Sequence, residues 1–300
     1  MLPEENPDTP NFTPVNSNLE PTALSKLAGC LEELRHRTLV MGILNITPDS
    51  FSDGGLFINV ESALEQAYKM IEDGADIIDV GGESTRPGAD LVPIEVELGR
   101  ILPVIEKLVK TTKTCISIDT YKPMVAEKAL EAGACMVNDI SALSDPNMAS
   151  VVAKERVPIV LMHKKGTPKD MQIAPHYDSL IPEISAFLQE RIQIAVESEI
   201  SPERIIIDPG IGFGKTLDHN LEILRRLREF KALGKPIMIG TSRKSFIGKV
   251  LNTSDAMDRV EGTSATVAIA IANGADIIRV HDVKEMVRVV RMTDAIVRGI

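Results

Sequence analysis

From Thr38 onward, short apolar runs alternate with polar or glycine-bearing loops and with segments of helical period. The apolar runs cover Leu39–Leu44, Asp76–Val80, Cys115–Ile118, Cys135–Val137, Pro158–Met162, Ile205–Ile207, Pro236–Ile239 and Asp276–Val280. The helical segments cover residues 60–73, 95–110, 123–132, 146–156, 179–199, 218–232, 244–272 (which the pattern allows to be split) and 283–298. Eight strand–helix units predict a (β/α)8 TIM barrel, and unbroken apolar strands are typical of a sheet covered on both faces.

A weak internal repeat supports this alternation. The dipeptide Gly-Ala followed by a short apolar run recurs at Gly74, Gly133 and Gly274. At each position we expect a helix to end on glycine, which tolerates the left-handed conformation there, and a buried strand to begin. An open, doubly wound sheet would show the same pattern, but the even fit of eight units favours the barrel.

The N-terminal segment differs from the rest of the chain. Residues 1–22 contain five prolines and show no hydrophobic period, which predicts a disordered tail. A short helix is expected from Ser25 to Arg37, with Leu27, Leu31 and Leu34 on one face. The expected organisation is therefore a tail over 1–22 and a single barrel domain over 23–300, an α/β TIM barrel with a short N-terminal extension.

Composition and charge limit the partners of this domain. The chain of 300 residues is 44% hydrophobic and 25% charged, which is typical of globular proteins. Its 33 basic and 43 acidic residues give a net charge of −10, which argues against a nucleic-acid-binding surface. No apolar run approaches the ~18 residues of a membrane span, so no membrane partner is expected. The chain has only three cysteines, and its N-terminus, in which the first basic residue is Lys26, is not expected to be a signal peptide. Both features favour a cytoplasmic protein.

Polar residues close nearly every predicted strand. Asp119, Asn138 and Asp208 end three different strands, and in a barrel these ends converge on one mouth. Carboxylates and an amide there suit a ligand rich in N–H donors. Each of the three residues alone could be a helix N-cap instead, but all three together favour a binding site.

Two loops at this mouth are long and rich in glycine, proline and hydroxyl groups. They span Asn45–Gly55 and Gly81–Gly88, and loops of this kind can close over a substrate. Both could also be ordinary solvated turns, although that interpretation leaves Phe51 and Arg86 unexplained.

Further basic residues mark a candidate anion site. The segment Gly240–Ser245 joins two cations and hydroxyls to a helix start, although it lacks the P-loop pattern. Arg279 and His281 lie two positions apart on the last strand, so their side chains point to the same side. There they could bind phosphate oxygens or take part in a salt bridge. His163 is interpreted as a hydrogen-bonded structural histidine, and the histidines and cysteines form no zinc pattern.

At this point the residues resemble a known family. The first and second signatures of the dihydropteroate synthases are similar to Met41–Gly55 and Asp79–Gly88. Shorter motifs follow in the family's order at Ser117–Thr120, Asn138–Ser141, Leu161–His163, Asp208–Lys215, Ser242–Ser245 and Arg279–His281. The resemblance covers roughly residues 38–300 and implies a (β/α)8 barrel, as the strand count does.

The resemblance also implies a reaction. Members of this family are transferases that join 6-hydroxymethyl-7,8-dihydropterin pyrophosphate to 4-aminobenzoate, and they release 7,8-dihydropteroate and pyrophosphate. Pyrophosphate leaves first in an SN1-like step, and the aniline nitrogen then attacks the cationic pterin methylene. The implied cofactor is Mg2+, held through Asn45, and the implied assembly is a homodimer formed by helices of the late part of the barrel.

The family's functional residues are carried over by motif. Those implied for the pterin are Asp119, Asn138, Met162, Asp208, Phe213 and Lys244. Those implied for pyrophosphate are Asn45, Thr85, Arg279 and His281. Those implied for 4-aminobenzoate are Phe51, Thr85, Pro87, Lys244 and Ser245. The expected catalytic residues are Asp119, which can stabilise developing positive charge, together with Asp53, Arg86 and Lys244.

Two other functions share parts of this pattern. A methyltetrahydrofolate-dependent methyltransferase would use the same barrel and pterin contacts, but it does not need Pro48–Phe51, Ser84–Pro87 or Ser242–Ser245. A non-catalytic pterin-binding paralogue should have lost loop or pyrophosphate residues, which this chain retains. The chain departs from the family pattern at Lys164, Lys165 and Ala142, none of which is assigned chemistry.

Overall fold

The computed structural model describes residues 32–34, 36–47, 60–84, 90–166, 171 and 173–299. The predicted tail over 1–22 lies outside these residues, and so does the predicted N-terminal helix up to residue 31. Within the described part, Leu34 is buried and packs against the inner residues Leu39 and Met41. The segment before the first strand therefore contributes to the core of the barrel.

The described strands form one parallel sheet that closes into a barrel. They are β1 (Leu39–Asn45), β2 (Ile77–Gly81), β3 (Cys115–Asp119), β4 (Met136–Asp139), β5 (Ile159–Met162), β6 (Ile205–Asp208), β7 (Met238–Ile239) and β8 (Ile277–Val280). Consecutive strands pair from β1 to β6 and again between β7 and β8, and β8 also pairs with β1. A parallel bridge between Ile207 and Ile237 joins β6 to the segment that leads into β7. The structure thus confirms the predicted (β/α)8 barrel.

Helices surround the barrel in the predicted places. They are α1 (Val60–Glu72), α2 (Ile94–Thr111), α3 (Pro123–Glu131), α4 (Pro146–Glu155), α5 (Leu180–Glu197), α6 (Leu217–Arg225), α7 (Ser245–Leu251), α8 (Val260–Ala272) and α9 (Val283–Val297). The predicted segment 218–232 is divided into α6 and a 3-10 helix over Leu227–Leu233. The segment 244–272 is also divided, because Asn252 ends α7 in the left-handed conformation with φ 57°.

The side chains inside the barrel change from apolar to polar along the strands. Its floor is a buried cluster that includes Met41, Ile77, Cys115, Met136, Val160, Ile206 and Ile277. Two residues further along a strand, the next side chain on the same face is polar at Asp79, Ser117, Asn138, Asp208 and Arg279. The polar layer therefore lies at the carboxyl ends of the strands, where α/β barrels carry their active sites.

A disulfide bond joins Cys115 and Cys135 at the floor of the barrel. Both side chains are buried, and Cys135 donates its backbone N–H to the carbonyl of Ile116. The sequence analysis, which counted three cysteines as typical of a reducing compartment, did not predict this pair. Among the described residues, no helix combines the length and the apolar character that crossing a bilayer requires.

Candidate active site

Arg279 lies between two carboxylates in the polar layer. Its Nε donates a hydrogen bond to Oδ2 of Asp79 at 2.6 Å, and its Nη2 donates to Oδ2 of Asp119 at 2.6 Å. Asp79 is inaccessible to solvent and Asp119 is 6% exposed. One guanidinium thus neutralises only one of two buried carboxylates. Of the alternatives that the sequence left open for Arg279, the salt bridge is the one present in this structure.

Asp119 has an unusual affinity for protons. Burial disfavours its ionised form and raises its pKa to about 7, although Arg279 opposes this effect and Asp79 adds to it. Asp119 therefore gains or loses its charge close to neutral pH. Groups whose pKa values are shifted in this way are common at functional sites.

Asn138 lies beside Asp119 on the neighbouring strand, in direct register with it. Its Nδ2 donates to Oδ2 of Asp79 at 3.0 Å, while its Oδ1 is buried and has no hydrogen-bond partner. The NH2 group of the amide is thus held by Asp79, and the amide oxygen can accept a hydrogen bond from another group.

Four buried oxygen atoms of this layer have no hydrogen-bond partner among the described residues. They are Oδ1 of Asp79, Oγ of Ser117, Oδ1 of Asp119 and Oδ1 of Asn138. Buried polar atoms in native proteins are nearly always paired, and an unpaired one is destabilising by about 1–3 kcal/mol. Three of these atoms are pure acceptors, so the layer is complementary to a ligand that donates N–H groups.

Asn45 ends β1 at the same mouth. A Cβ atom built on Gly81 would lie 3.5 Å from Cβ of Asp119 and 3.7 Å from Oδ1 of Asn45. The bare backbone of Gly81 therefore keeps space between these two side chains. The structure brings Asn45 to the pocket, as the sequence predicts.

The segment after β6 forms the wall opposite Asp119. Oδ1 of Asp208 accepts the backbone N–H of Gly210 at 2.7 Å, and Met162 is in register with Asp208 on the adjacent strand. Gly210 has φ +72°, and a Cβ there would come within 1.8 Å of the carbonyl oxygen of His163. Only glycine permits this close crossing of the segment over the end of β5.

Lys244 reaches this wall from the loop after β7. Its Nζ donates to the carbonyl of Ile211 and lies 4.9 Å from the centroid of the Phe213 ring. Burial lowers the pKa of Lys244 to about 8, and the negative charge of Asp208 limits the shift. Burial likewise raises the pKa of Asp208, which Lys244 opposes. The opposite charges of these two groups thus influence each other.

The predicted anion segment Gly240–Ser245 contributes one cation rather than two. Arg243 is bound to Asp282, so only Lys244 extends into the pocket. Ser245 begins α7 and is exposed. His281, at the end of β8, has Nδ1 3.0 Å from Oγ of Ser242.

Five predicted site residues lie outside the described residues: Phe51, Asp53, Thr85, Arg86 and Pro87. The structure gathers the other predicted residues around one mouth. For the metal, the described residues contain no group of three or more His, Cys, Asp or Glu side chains able to hold an ion. Oδ1 of Asn45, the oxygen that the family resemblance implies for this role, would be one protein donor. One such donor would fit Mg2+ held mainly by water and substrate phosphates.

Two groups near the site were not among the predicted site residues. Asp79, like Asp119, lies on an interior position of its strand, but Val80 and Gly81 follow it within β2, so it does not end the strand. Lys215 is fully buried against His163, and no sequence signal marks a buried lysine, because lysines are nearly always exposed.

A second buried ionic cluster lies beside the β2 and β3 ends. Nζ of Lys122 donates to Oε2 of Glu83 at 2.5 Å, to Oε2 of Glu97 at 2.6 Å and to the carbonyl of Val92 at 2.5 Å. Tyr121 donates its hydroxyl to Oε1 of Glu83 at 2.9 Å. This cluster ties the segment after β3 to Glu83, in the second long loop, and to Val92 and Glu97, which follow that loop.

The fold and this pocket define a barrel enzyme that binds a small, donor-rich ligand beside buried cations. Comparison with known proteins identifies the family. A family model described as pterin binding enzyme matches residues 41–281. The dihydropteroate synthase of Synechocystis is 51% identical over 263 residues, which are 87% of this chain and 91% of that protein.

Solved structures give the same answer. The dihydropteroate synthase of Clostridium difficile in the presence of pteroic acid is 50% identical, with a TM-score of 0.83 over 88% of this chain and 98% of that chain. The Xanthomonas albilineans dihydropteroate synthase with 4-aminobenzoic acid is 46% identical, with a TM-score of 0.83 over 87% and 93% of the two chains. The chain therefore belongs to the pterin-binding enzyme family and, within it, to the dihydropteroate synthases, as its motifs implied.

Proposed function

We propose that this chain is a transferase that condenses 6-hydroxymethyl-7,8-dihydropterin pyrophosphate with 4-aminobenzoate to give 7,8-dihydropteroate and pyrophosphate. The observation that carries this proposal is the set of buried, unpartnered acceptors at the barrel mouth, Oδ1 of Asp79, Asp119 and Asn138. The amino group and ring N–H groups of a reduced pterin are the donors that such acceptors need. The relatives named above support the same reaction.

In this proposal the pterin ring lies between Asp119 and Asn138 on one side and Asp208 on the other. Met162 and Phe213 supply apolar contact, and Lys244 supplies a donor at the edge of the ring. The charge of Asp119 is placed where positive charge develops as the leaving group departs. A preorganised charge of this kind, in a site shielded from water, typically accounts for about 10²–10³ in rate.

The bond changes balance without a further reactant. The bond between the pterin methylene carbon and the bridging oxygen breaks, and pyrophosphate leaves with the electron pair. The nitrogen lone pair of 4-aminobenzoate then forms the new C–N bond, and that nitrogen loses a proton. Ionised Asp119 stabilises the cationic methylene between the two events.

Pyrophosphate is the most highly charged group of the reaction. We assign its binding to Asn45, Thr85, Arg279 and His281, with Arg279 already held in the pocket by two carboxylates. Mg2+ held through Asn45 and the phosphate oxygens would act as a Lewis acid on the departing group. Nη1 of Arg279 makes no hydrogen bond within the described part of the chain, which leaves it a donor for a phosphate oxygen.

The 4-aminobenzoate site is assigned to Phe51, Thr85, Pro87, Lys244 and Ser245. Asp53 and Arg86 are assigned to catalysis from the two long loops. Of these residues, Lys244 and Ser245 lie within the described part of the chain, at the start of α7 and beside the residues assigned to the pterin. A cation followed by a hydroxyl at a helix start suits the carboxylate of the second substrate.

We further propose a homodimer that forms through α8 and α9. Helix α8 carries a single charged residue, Glu261, and a helix that is apolar on all sides is normally buried. Large apolar side chains on these helices are nevertheless exposed, namely Ile269, Met292, Ile296 and Val297. We also place the enzyme in the cytoplasm, because its substrate, a diphosphate ester, would not cross a membrane unaided.

The test is the formation of dihydropteroate and the release of pyrophosphate by the purified protein, with and without 4-aminobenzoate and with and without Mg2+. We expect both products when both substrates and Mg2+ are present. Pterin binding with no pyrophosphate release would indicate a non-catalytic paralogue. Methyl transfer from methyltetrahydrofolate would indicate the methyltransferase.

A further inference from the structure

One oxygen atom of Asp79 is bound by two residues of the pocket. Oδ2 accepts a hydrogen bond from Nδ2 of Asn138 at 3.0 Å and from Nε of Arg279 at 2.6 Å. Asp79 itself is inaccessible to solvent and lies one interior position above the apolar floor, between Ile77 and Gly81. So far its Oδ1 has been counted only among the unpartnered acceptors of the layer, and the function of its Oδ2 has not been considered.

An ionised carboxylate accepts hydrogen bonds and cannot donate them. The amide of Asn138 must therefore turn its Nδ2 towards Asp79, and this turns Oδ1 away from Asp79 as a buried acceptor without a partner. If Asp79 were replaced by an apolar side chain, the amide could rotate by half a turn. It would then present a donor to the ligand instead.

Asp79 has a second effect through Arg279. The guanidinium is held at Nε by Asp79 and at Nη2 by Oδ2 of Asp119, which leaves Oδ1 of Asp119 without a partner. Guanidinium and carboxylate groups prefer to pair through two parallel hydrogen bonds. Without Asp79, Arg279 would be free to bind both oxygens of Asp119 and to occupy the acceptor that faces the ligand.

We propose that Asp79 is a positioning residue that keeps Oδ1 of Asn138 and Oδ1 of Asp119 available as acceptors, and so makes the pocket selective for a ring edge that donates hydrogen bonds. This inference rests on the proposed function, because the ligand it concerns is the pterin. Asp79 acts through two neighbours, and no contact between Asp79 and the substrate is required.

A purely structural role predicts a different pattern. A buried carboxylate that only stabilised the fold would have both oxygens satisfied, since each unpaired buried atom is destabilising. Among the described residues, Oδ1 of Asp79 has no hydrogen-bond partner, and neither has Oγ of Ser117, the residue in register with Asp79 on β3. The side-chain hydrogen bonds of Asp79 within this part of the chain are thus confined to Asn138 and Arg279, which carry or adjoin the ligand acceptors.

The experiment compares Asp79→Leu, which removes the acceptor at similar volume, with Asp79→Asn, whose oxygen can still accept from both neighbours. Binding of 6-hydroxymethylpterin is measured by calorimetry, together with kcat and KM for both substrates. We expect Asp79→Leu to bind the pterin about tenfold or more weakly and to raise the pterin KM, with the 4-aminobenzoate KM nearly unchanged. Asp79→Asn should lie between Asp79→Leu and the wild type.

A double-mutant cycle separates positioning from general stabilisation. In an Asn138→Ala background, Asp79→Leu should weaken pterin binding much less than it does in the wild type, because the amide it orients is gone. Equal effects in both backgrounds, or unchanged pterin binding in Asp79→Leu, would overturn the inference. If Asp79→Leu does not fold, Asp79→Ser, whose hydroxyl is too short to replace Oδ2, takes its place in the same cycle.

The two proposals fail in distinguishable ways. A wild-type protein that neither binds 6-hydroxymethylpterin nor forms dihydropteroate would contradict the proposed function. A wild-type protein that does both, with Asp79→Leu and Asp79→Ser equal to it in pterin affinity, would contradict only the positioning role.

Discussion

Nζ of Lys215 lies 2.9 Å from Nδ1 of His163, and both side chains are buried. The same amine donates to the carbonyl of Phe213 at 3.0 Å, so it links the end of β5 to the segment that carries Asp208. His163 acts as the acceptor and is therefore neutral, as the structural role predicted for it requires. Burial, reinforced by the charge of Lys215, lowers the pKa of His163 to about 2.

The first prediction follows from this neutral histidine. In the unfolded chain His163 binds a proton near its ordinary pKa of 6.5, but in the folded protein only near 2. Between these values the unfolded state binds more protons, so the stability that the neutral imidazole supplies is lost as pH falls below 6.5. Relative to His163→Asn, the wild type should lose about 1.4 kcal/mol in the free energy of unfolding per pH unit.

Urea unfolding of both proteins from neutral pH to about pH 5 measures this difference. Asparagine is a suitable comparison, because its side-chain oxygen can replace Nδ1 as the acceptor for Lys215 while the titrating ring is removed. A difference in stability that does not vary with pH would show that folding leaves the pKa of His163 unchanged, which would contradict a neutral buried imidazole at pH 5.

The second prediction concerns the crossing at Gly210. Gly210→Ala places a methyl group 1.8 Å from the carbonyl oxygen of His163 at a φ of +72°, so the segment has to move. We expect a loss of more than about 2 kcal/mol in the free energy of unfolding and weaker pterin binding, since Asp208 is bound to this backbone. Thermal and urea unfolding, with pterin calorimetry, are the measurements.

Gly99→Ala is the matched control for that substitution. Gly99 lies inside α2, and apart from its chain neighbours and the backbone of its own helix, no atom of the described residues lies within 4 Å of a Cβ built there. Alanine at such a position should stabilise the protein by about 0.5–1 kcal/mol. Similar effects of the two substitutions would mean that the segment after β6 is not constrained by its contact with β5.

The third prediction concerns Lys122, the partly buried lysine of the second ionic cluster. Lys122→Met leaves the carboxylates of Glu83 and Glu97 buried without a cation, and breaking a buried pair in this way typically destabilises by about 3–5 kcal/mol. Lys128→Met, which breaks an exposed pair with Glu131, should change stability far less, because solvent screens that pair. Equally small changes in both variants would contradict the assignment of Lys122 as the cation that these carboxylates depend on.

The period of apolar residues was sufficient to predict the barrel. The predicted strand bounds differ from the observed ones by one or two residues, because each strand is buried on both faces and is bounded by a glycine or a polar loop. The split of 218–232 was missed, since Leu227 and Phe230 continue the apolar pattern although the backbone changes to a 3-10 helix. Local backbone geometry of this kind leaves no trace in an apolar pattern.

The site was predictable where one residue closes one strand, as at Asp119, Asn138 and Asp208. It was not predictable where function depends on pairing across the barrel. Arg279 is separated from Asp79 by 200 residues and from Asp119 by 160, so its partners follow only from the closure of the sheet. The orientation of the Asn138 amide is likewise set by a residue 59 positions away.

The fourth prediction is an acid limit on activity set by Asp119. Its pKa is raised to about 7 by burial. The ionised form is the stronger acceptor for pterin hydrogen bonds, and only it carries the negative charge that stabilises the cationic methylene. The value of kcat/KM for the pterin substrate should therefore fall about tenfold per pH unit below that pKa. In Asp119→Asn the rate should be lower by about 10²–10³ and this acid limb should disappear. An unchanged limb in the variant would assign the titration to another group.

The last prediction is the opposite limit, set by Lys244. Burial lowers its pKa to about 8, so above that pH the amine loses the positive charge that interacts with Asp208 in the proposed pterin pocket. The value of kcat/KM should fall above this pKa, which together with the Asp119 limb gives a bell-shaped profile with a maximum between about pH 7 and about pH 8. Lys244→Arg keeps a cation that does not titrate in this range, so the alkaline limb should move out of the accessible range even if the maximum rate is reduced. The ratio of variant to wild-type kcat/KM is the quantity to plot against pH, because titration of the substrates cancels in it. A ratio that stays constant from about pH 7 to about pH 9 would exclude Lys244 as the group that limits activity in alkaline solution.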